Sequence, residues 1–237
     1  MNSITEGIKS LSIRFPNIVL AVKKMMKMSY YKNMPVTSDN SHNYAHHEDA
    51  IADILLEEGF KQYNLCEKLN KKNTMCWITQ PELAVNIPIS TFIRQPFGTQ
   101  ESPDFIIKVS DKFILFLEAK SSNNYYPTYN SGGVKLDYLY IFCAKKPNAT
   151  VIFKGDSIAT KEQLQLIKSH IEEARQRDIE LNNKLKEMDL NHRGIGYYTR
   201  PMIIQSGGAS FTNYFTHSRR EEVERKAIEW LTEMSSR

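Results

Sequence analysis

The sequence predicts an α/β fold in which a central mixed β-sheet is flanked by α-helices. Strand-like apolar runs, separated by turn-rich segments, occupy residues 89–155. A helical pattern precedes them at 45–58, and the longest helical pattern of the chain follows at 160–188. With 237 residues, 41% of them hydrophobic, the chain is long enough for one sizeable core, so we expect a single domain spanning 1–237.

The segments before the strands are predicted to be mainly helical. An N-terminal arm, residues 1–43, has apolar residues at nearly helical spacing as far as Lys32, with a break at Pro16, and then becomes loop-like. A helix is expected at about 45–58, because its apolar residues recur on one face and Gly59 stands where the chain would leave the helix.

Five strands are predicted in the middle of the chain, whereas the mixed composition of residues 60–86 gives no assignment. The strands are STFIRQ (90–95), DFIIKV (104–109), KFILFLEAK (112–120), YLYIFCA (138–144) and TVIFKG (150–155). The connections SDK and KKPNA are short enough to close two hairpins. With the preceding helix, these strands make up the expected core, residues 44–160.

The C-terminal part, residues 161–237, is predicted to be largely helical. Apolar residues at 160–188 follow alternating steps of three and four, interrupted at Asp178, which predicts a long helix with one apolar stripe. We expect the stripe to pack on the chain's own sheet, and pairing with a second subunit is the alternative. A loop rich in Gly, Tyr and Arg follows, then a short strand at 202–205 and a final helix at about 219–234.

Composition limits the function classes. The formal net charge of +4 is mildly basic, so it permits a nucleic-acid partner without requiring one. No stretch of about 18 uncharged apolar residues occurs, and the first residues lack the basic-then-apolar order of a secretory signal. We therefore expect a cytoplasmic protein with no membrane partner.

The cysteines and histidines predict neither a disulfide framework nor a zinc site. Three cysteines are an odd number and form no CxxC pair, so we expect reduced thiols. His42, His46 and His47 are close in sequence but have no cysteine or acidic partner at zinc spacing. A local function in the loop and at the helix start is favoured for them.

The residues that carry chemistry lie on two neighbouring predicted strands. Asp104 follows Pro103 and opens one strand, and Glu118 and Lys120 lie near the end of the next. A short hairpin would bring these points together, and alternation along a strand places Glu118 and Lys120 on the same face. Two carboxylates and a lysine can hold Mg²⁺, activate a water molecule and stabilise the charge that develops when a phosphodiester is cleaved.

The strand that leads to these two charges is apolar at every position from Phe113 to Leu117, which is typical of a strand buried on both faces. A Glu and a Lys at the end of such a strand are costly unless they are paired or bound to a metal, so they indicate function. The alternative is a structural ion-pair cluster: a salt bridge between Glu118 and Lys120, preceded by an ordinary Pro-Asp turn.

These residues resemble the PD-(D/E)XK nuclease superfamily, and within it the type II restriction endonucleases. The resemblance is local and is carried by SPDFII (102–107) and FLEAKSS (116–122). It implies a restriction-endonuclease-like core in which Asp104 and Glu118 ligate Mg²⁺, for which Mn²⁺ would substitute. It also implies that Lys120 orients or activates the attacking water and stabilises phosphate charge.

Members of that superfamily often carry a further acidic residue on a helix before the strands. The candidates are Glu48, Asp49, Asp53 and Glu57. Glu48 is preferred as a third metal ligand, because its spacing from the apolar residues of the helix places it on the core-facing side. Acidic residues in a first turn also favour the helix dipole, which leaves a purely structural explanation open.

Two polar stretches are predicted to hold DNA. The first follows the metal motif and offers hydrogen-bond donors for phosphates and base edges: Ser121, Ser122, Asn123, Asn124, Tyr129, Asn130 and Lys135. In the second, within residues 161–237, Arg193 and Arg200 alternate with aromatic residues, and Arg suits bidentate recognition of guanine. Either stretch could instead be solvated surface.

Together these features predict a type II restriction endonuclease: an Mg²⁺-dependent enzyme that cleaves double-stranded DNA at a specific sequence and leaves 5′-phosphates. A homodimer would present one site to each strand of a palindrome, and a cognate DNA methyltransferase would be the genetic partner. The alternatives are a structure-selective or repair nuclease of the same fold, such as a resolvase or nicking enzyme, and a non-catalytic DNA-binding protein.

Overall fold

The computed structural model describes residues 16–36, 43–65, 69–130, 133–205 and 213–237. Its helices are α1 (Asn17–Met25), α2 (His47–Glu57), α3 (Lys71–Thr74), α4 (Lys161–Glu187) and α5 (Arg220–Ser235). Its strands are β1 (Lys61–Gln62), β2 (Thr91–Arg94), β3 (Phe105–Ser110), β4 (Phe113–Ser122), β5 (Thr128–Tyr129), β6 (Leu139–Ala144), β7 (Ala149–Lys154) and β8 (Ile203–Ile204). Short 3₁₀-helices cover Tyr31–Asn33, Met75–Ile78, Pro81–Leu83 and Gly155–Ser157.

Among the described residues, six strands form one mixed sheet in the order β1-β2-β3-β4-β6-β7. The pairs β1–β2 and β4–β6 are parallel, and the other neighbours are antiparallel. The predicted α/β class with a central mixed sheet is therefore confirmed. Strand β1 lies in residues 60–86, which had no predicted assignment, and β5 pairs with β8 in a separate two-stranded sheet.

Both predicted hairpins are present. The first joins β3 to β4 through a turn at residues 111–112, and the second joins β6 to β7 through residues 145–148. In the first, Phe105 pairs with Leu117, so the antiparallel register brings the start of β3 to the end of β4. This is the point at which the chemistry-bearing residues were expected to meet.

The helix boundaries follow the local sequence signals. Helix α1 begins directly after Pro16, although residues 1–15 lie outside the described part of the chain. Helix α2 ends in a Schellman motif, in which Gly59, at φ +87°, donates to the Leu56 carbonyl and Phe60 donates to that of Leu55. The predicted end of this helix is therefore confirmed.

One face of the sheet is covered by helices α1, α2 and α5. Fully buried side chains from these helices, such as Ile51, Leu55 and Leu231, belong to the same core as Leu115 and Leu117 of β4. Burying an aliphatic side chain of this size contributes about 1.5–3 kcal/mol. The helices thus provide a rigid backing for the central strand.

The opposite face is covered mainly by 3₁₀-helices and irregular segments, and its core is rich in aromatic side chains. The ring of Phe153 stacks on Tyr140 at 5.7 Å and on Tyr214 at 4.3 Å between centroids. Phe116 of β4 also lies in this core. Because side chains alternate along a strand, Glu118 and Lys120 project toward the same face as Phe116.

The expectation that α4 packs along the sheet is wrong. None of its 27 residues is buried, and Leu166 is 74% exposed. Of its apolar stripe, Leu164 in the first turn packs against the aromatic core. The segment that follows α4 runs back along the helix and contacts it instead. Asp178, the residue that interrupts the stripe, accepts hydrogen bonds from the backbone and hydroxyl of Thr199 at 2.6 and 2.9 Å.

No helix in the described part of the chain combines the length and the apolar character that crossing a membrane requires.

Candidate active site

Asp104, Glu118 and Lys120 lie together at one end of the β3–β4 hairpin. The Asp104 carboxylate accepts a hydrogen bond from the Ala119 backbone N–H at 2.8 Å, which ties the start of β3 to the end of β4. Lys120 Nζ lies 2.7 Å from Glu118 Oε1. The predicted convergence of the three residues, with Glu118 and Lys120 on one face, is therefore confirmed.

The two carboxylate oxygens of Glu118 have different environments. Oε1 accepts from Lys120, whereas Oε2 is buried and has no hydrogen-bond partner among the described residues. The residue as a whole is only 7% exposed. An ionised oxygen in such a place costs free energy unless a cation or donor compensates for it, so Oε2 is available to a ligand.

Asp104 has an unfavourable electrostatic environment for its charge. Burial, the neighbouring Glu118 carboxylate and, to a smaller extent, Glu48 raise the pKa of Asp104 to about 7. The hydrogen bond from Ala119 and the charge of Lys120 oppose this rise without cancelling it. The Asp104 carboxylate is therefore repelled by two further carboxylates, with Lys120 as the cation that opposes them, and this charge balance suits a bound cation.

The acidic residues of α2 separate into two groups. Three have partners in the structure: Asp49 with Arg94 at 2.6 Å, Asp53 with Tyr44 at 2.7 Å, and Glu57 with Lys24 at 3.2 Å. For Glu48, the described residues offer no hydrogen bond or ion pair, and its charge acts on Asp104. Glu48 is therefore the acid of this helix that fits the preferred third position.

The described residues contain no group of three or more His, Cys, Asp and Glu side chains close enough to hold a metal ion. Mg²⁺ does not need such a group, because it is usually held by one or two carboxylates, water and substrate oxygens. Asp104 and the unpartnered oxygen of Glu118 supply two hard oxygen ligands. The donor set thus fits Mg²⁺ or Mn²⁺ better than a thiol-seeking or imidazole-seeking metal.

His47, for which the sequence favoured a local function at the helix start, is buried close to this cluster. Its ring is 3% exposed, stacks on Tyr31 at 5.9 Å, and has no hydrogen-bond partner at either nitrogen among the described residues. Burial lowers the pKa of His47 to about 4, although the nearby backbone of Lys120 acts in the opposite direction. His46 caps α2, as the expected helix-start function requires, and His42 lies outside the described residues.

The cysteines take no part in the carboxylate cluster. Cys76 is exposed, Cys143 is buried, and both are free. Cys66 lies outside the described residues.

The serines after Lys120 differ from the prediction because β4 continues through Ser122. Alternation therefore places Ser121 on the face opposite to Lys120, next to Tyr31. Burial raises the pKa of Tyr31 to about 12, and a hydrogen bond with Ser121 acts in the opposite direction. Ser121 is exposed, but its side chain lies on the face opposite to the carboxylate cluster, and a contact with DNA at this position stays a prediction.

Tyr129, another predicted DNA contact, is buried. Its ring is 1% exposed, and its hydroxyl donates to Gln205 Oε1 at 2.8 Å. Burial raises the pKa of Tyr129 well above its usual range. The side chain belongs to the aromatic core, and a contact with DNA at this position stays a prediction.

The remaining predicted DNA contacts differ in how far their side chains are exposed. Ser122 accepts from the Asn124 backbone at 3.0 Å, and Asn123 is exposed beside them. Asn130 and Lys135 are half-buried.

Arg193 and Arg200 lie on the exposed chain that returns along α4. Within the described residues, neither arginine contacts the carboxylate cluster. Contacts with DNA at these positions stay predictions.

Comparison with known proteins gives no independent assignment of this site. No protein-family model matches the chain, and neither a curated protein nor a solved structure matches it.

Proposed function

We propose that the protein is an Mg²⁺-dependent DNA endonuclease. The observation that carries the proposal is the convergence of Asp104, Glu118 and Lys120, with a buried Glu118 oxygen that has no hydrogen-bond partner among the described residues. A structural ion pair would not require the second and third carboxylates, since it is satisfied by Glu118 and Lys120 alone. The surplus of negative charge favours a bound cation.

Asp104 and Glu118 would hold Mg²⁺ (or Mn²⁺ in its place), and Glu48 would support them from α2. When bound, the metal would supply Lewis-acid stabilisation of the phosphate charge and a more acidic water molecule. Lys120 is held against Glu118 Oε1, so its ammonium is oriented toward the cleft before substrate arrives. From there it would hold the attacking water and stabilise negative charge on the phosphate oxygens.

The finer proposal rests on the resemblance of residues 102–107 and 116–122 to the PD-(D/E)XK superfamily. It is a type II restriction endonuclease that acts in the cytoplasm on a specific sequence of double-stranded DNA and leaves 5′-phosphates. A homodimer and a cognate methyltransferase would complete the system. The exposed apolar residues of α4, such as Leu166 and Ile179, support a surface that a second copy would cover.

The test is to incubate supercoiled plasmid with the protein in Mg²⁺ and in EDTA. The wild type should give discrete fragments only with the metal, and Lys120→Ala should cut at least about 100-fold more slowly. Lys112→Ala is the matched control, because Lys112 is exposed in the turn at the opposite end of the same hairpin.

Other outcomes separate the alternatives. Nicks or cuts only at branched DNA would favour a structure-selective nuclease. Binding of DNA in EDTA, with no cutting in any divalent metal, would favour a non-catalytic DNA-binding protein and would contradict the proposal.

A further inference from the structure

Beside the carboxylate cluster, Lys135 presents an ammonium that the described residues leave without a hydrogen-bond or ion-pair partner. Its side chain is half-buried, so it cannot rely fully on water for solvation. Burial lowers the pKa of Lys135, as does the neighbouring charge of Lys71, whereas Glu118 raises it. Lys168 also lowers it, to a smaller extent. Lys135 thus lies within electrostatic reach of two further ammoniums, those of Lys71 and Lys168, at the edge of the site.

The backbone of Lys135 is held firmly. Its N–H donates to the buried Tyr140 hydroxyl at 2.9 Å, and its carbonyl accepts from the Tyr138 N–H at 3.3 Å. The carbonyl also packs against Gly155 so closely that a Cβ added there would lie 1.8 Å from the oxygen. Because its backbone is held by these contacts, the Lys135 side chain starts from a fixed position, unlike that of an ordinary surface lysine.

The other two lysines approach from different elements. Lys71, at the start of α3, lies over the Phe97 ring at 5.6 Å and pairs with Glu101, three residues before Asp104. Lys168 of α4 lines, together with Lys135, a groove of about 370 Å³ between the helix and the loop after β5. The charged residues of that groove are Lys135, Lys168, Glu172 and Arg175, so its net charge is positive.

We propose that Lys71, Lys135 and Lys168, here called the lysine cluster, bind a DNA-backbone phosphate next to the one that is cleaved. The inference rests on the proposed function, since it takes the carboxylate site as the place of the scissile phosphate. A phosphodiester oxygen would give the Lys135 ammonium an acceptor and offset the repulsion that it experiences from Lys71 and Lys168. The cluster therefore fixes the register of the strand and reads no base.

The experiment measures binding of a fluorescent DNA duplex by anisotropy in EDTA, over a series of salt concentrations. Replacing all three lysines of the cluster by Ala should reduce the slope of log Kd against log salt by about 0.9 and weaken binding roughly eightfold near 0.1 M salt, and each single Ala substitution should give part of that change. Lys72→Ala on α3 and Lys184→Ala on α4 are matched controls, because both side chains are exposed on the same helices. Both should bind like the wild type.

Lys135→Arg keeps the charge and should retain most of the slope. Unfolding midpoints of all variants exclude loss of fold as the cause of weaker binding. If inorganic phosphate alone raises the midpoint of the wild type and the cluster variants keep the wild-type DNA slope, the cluster is a site for free phosphate, and the inference is overturned.

Plasmid cleavage in Mg²⁺, measured on the same proteins, separates the two proposals. Cleavage with unchanged slopes in all three cluster variants would overturn the inference and leave the proposed function standing. Reduced slopes without any cleavage would support the phosphate site and overturn the nuclease proposal. Absence of duplex binding by the wild type would overturn both.

Discussion

Replacing Asp104 by Asn should make the metal-free protein more stable while it removes metal binding and cleavage. The amide oxygen can still accept the hydrogen bond from Ala119 that the carboxylate accepts at 2.8 Å. The substitution removes a negative charge that burial and Glu118 disfavour. Stability and activity are therefore expected to change in opposite directions, as at other sites where function maintains an unfavourable charge.

The size and pH dependence follow from the raised pKa of Asp104, about 7 instead of 3.8. Each unit corresponds to about 1.4 kcal/mol, which sets an upper limit of about 4 kcal/mol. The folded state favours the protonated acid, so this stabilising contribution is complete below pH 4 and is lost as the pH rises from 4 to 7. Asp104→Asn should match the wild type near pH 4 and exceed it most above pH 7.

Urea unfolding in EDTA at pH 4, 6 and 8 measures the difference. Asp137→Asn is the control, since Asp137 is an exposed aspartate in the loop before β6. Adding Mg²⁺ at pH 8 should stabilise the wild type, by about 1.4 kcal/mol at ten times Kd, and leave Asp104→Asn unchanged. A stability difference that is absent at pH 8, or equal at all three pH values, would refute the electrostatic argument.

Three further predictions concern the fold around the site. Gly155→Ala should destabilise by about 1–3 kcal/mol, because the added Cβ meets the Lys135 carbonyl, whereas Gly196→Ala has 3.4 Å of clearance and should change the unfolding midpoint little. Equal midpoints would contradict the close packing. Leu231→Ala should lower the free energy of unfolding in urea by about 2–5 kcal/mol, because Leu231 is fully buried. Leu166→Ala should lower it by less than about 0.5 kcal/mol, because Leu166 is exposed. Equal losses would mean that α4 belongs to the core after all. Burial lowers the pKa of His47 to about 4. The stability that depends on a neutral His47 imidazole is therefore present above pH 6.5 and is lost as the pH falls from 6.5 to 4, by at most about 3 kcal/mol. His47→Phe should lack this acid-dependent loss in unfolding measured over that range, and identical pH profiles for the two proteins would rule out a buried neutral imidazole.

The candidate site was predictable from sequence because the features that build it are local. Two short turns fix the hairpins, alternation fixes the face of Glu118 and Lys120, and the apolar run before them marks a buried strand. The preference for Glu48 rested on helical spacing alone. The structure adds a separate reason, since the other acids of α2 have partners.

What the sequence determined by itself was therefore the mixed sheet, its hairpins and the meeting of Asp104, Glu118 and Lys120. Only the tertiary structure decided which surfaces are covered. The stripe of α4 has the right period for packing, yet the aromatic core is closed by other segments and the helix remains exposed. Similarly, β4 extends two residues past Lys120, which turns Ser121 to the other face. The repeat of apolar residues along a helix or strand identifies the face that can be buried. Which segment covers that face depends on residues that are distant in the chain.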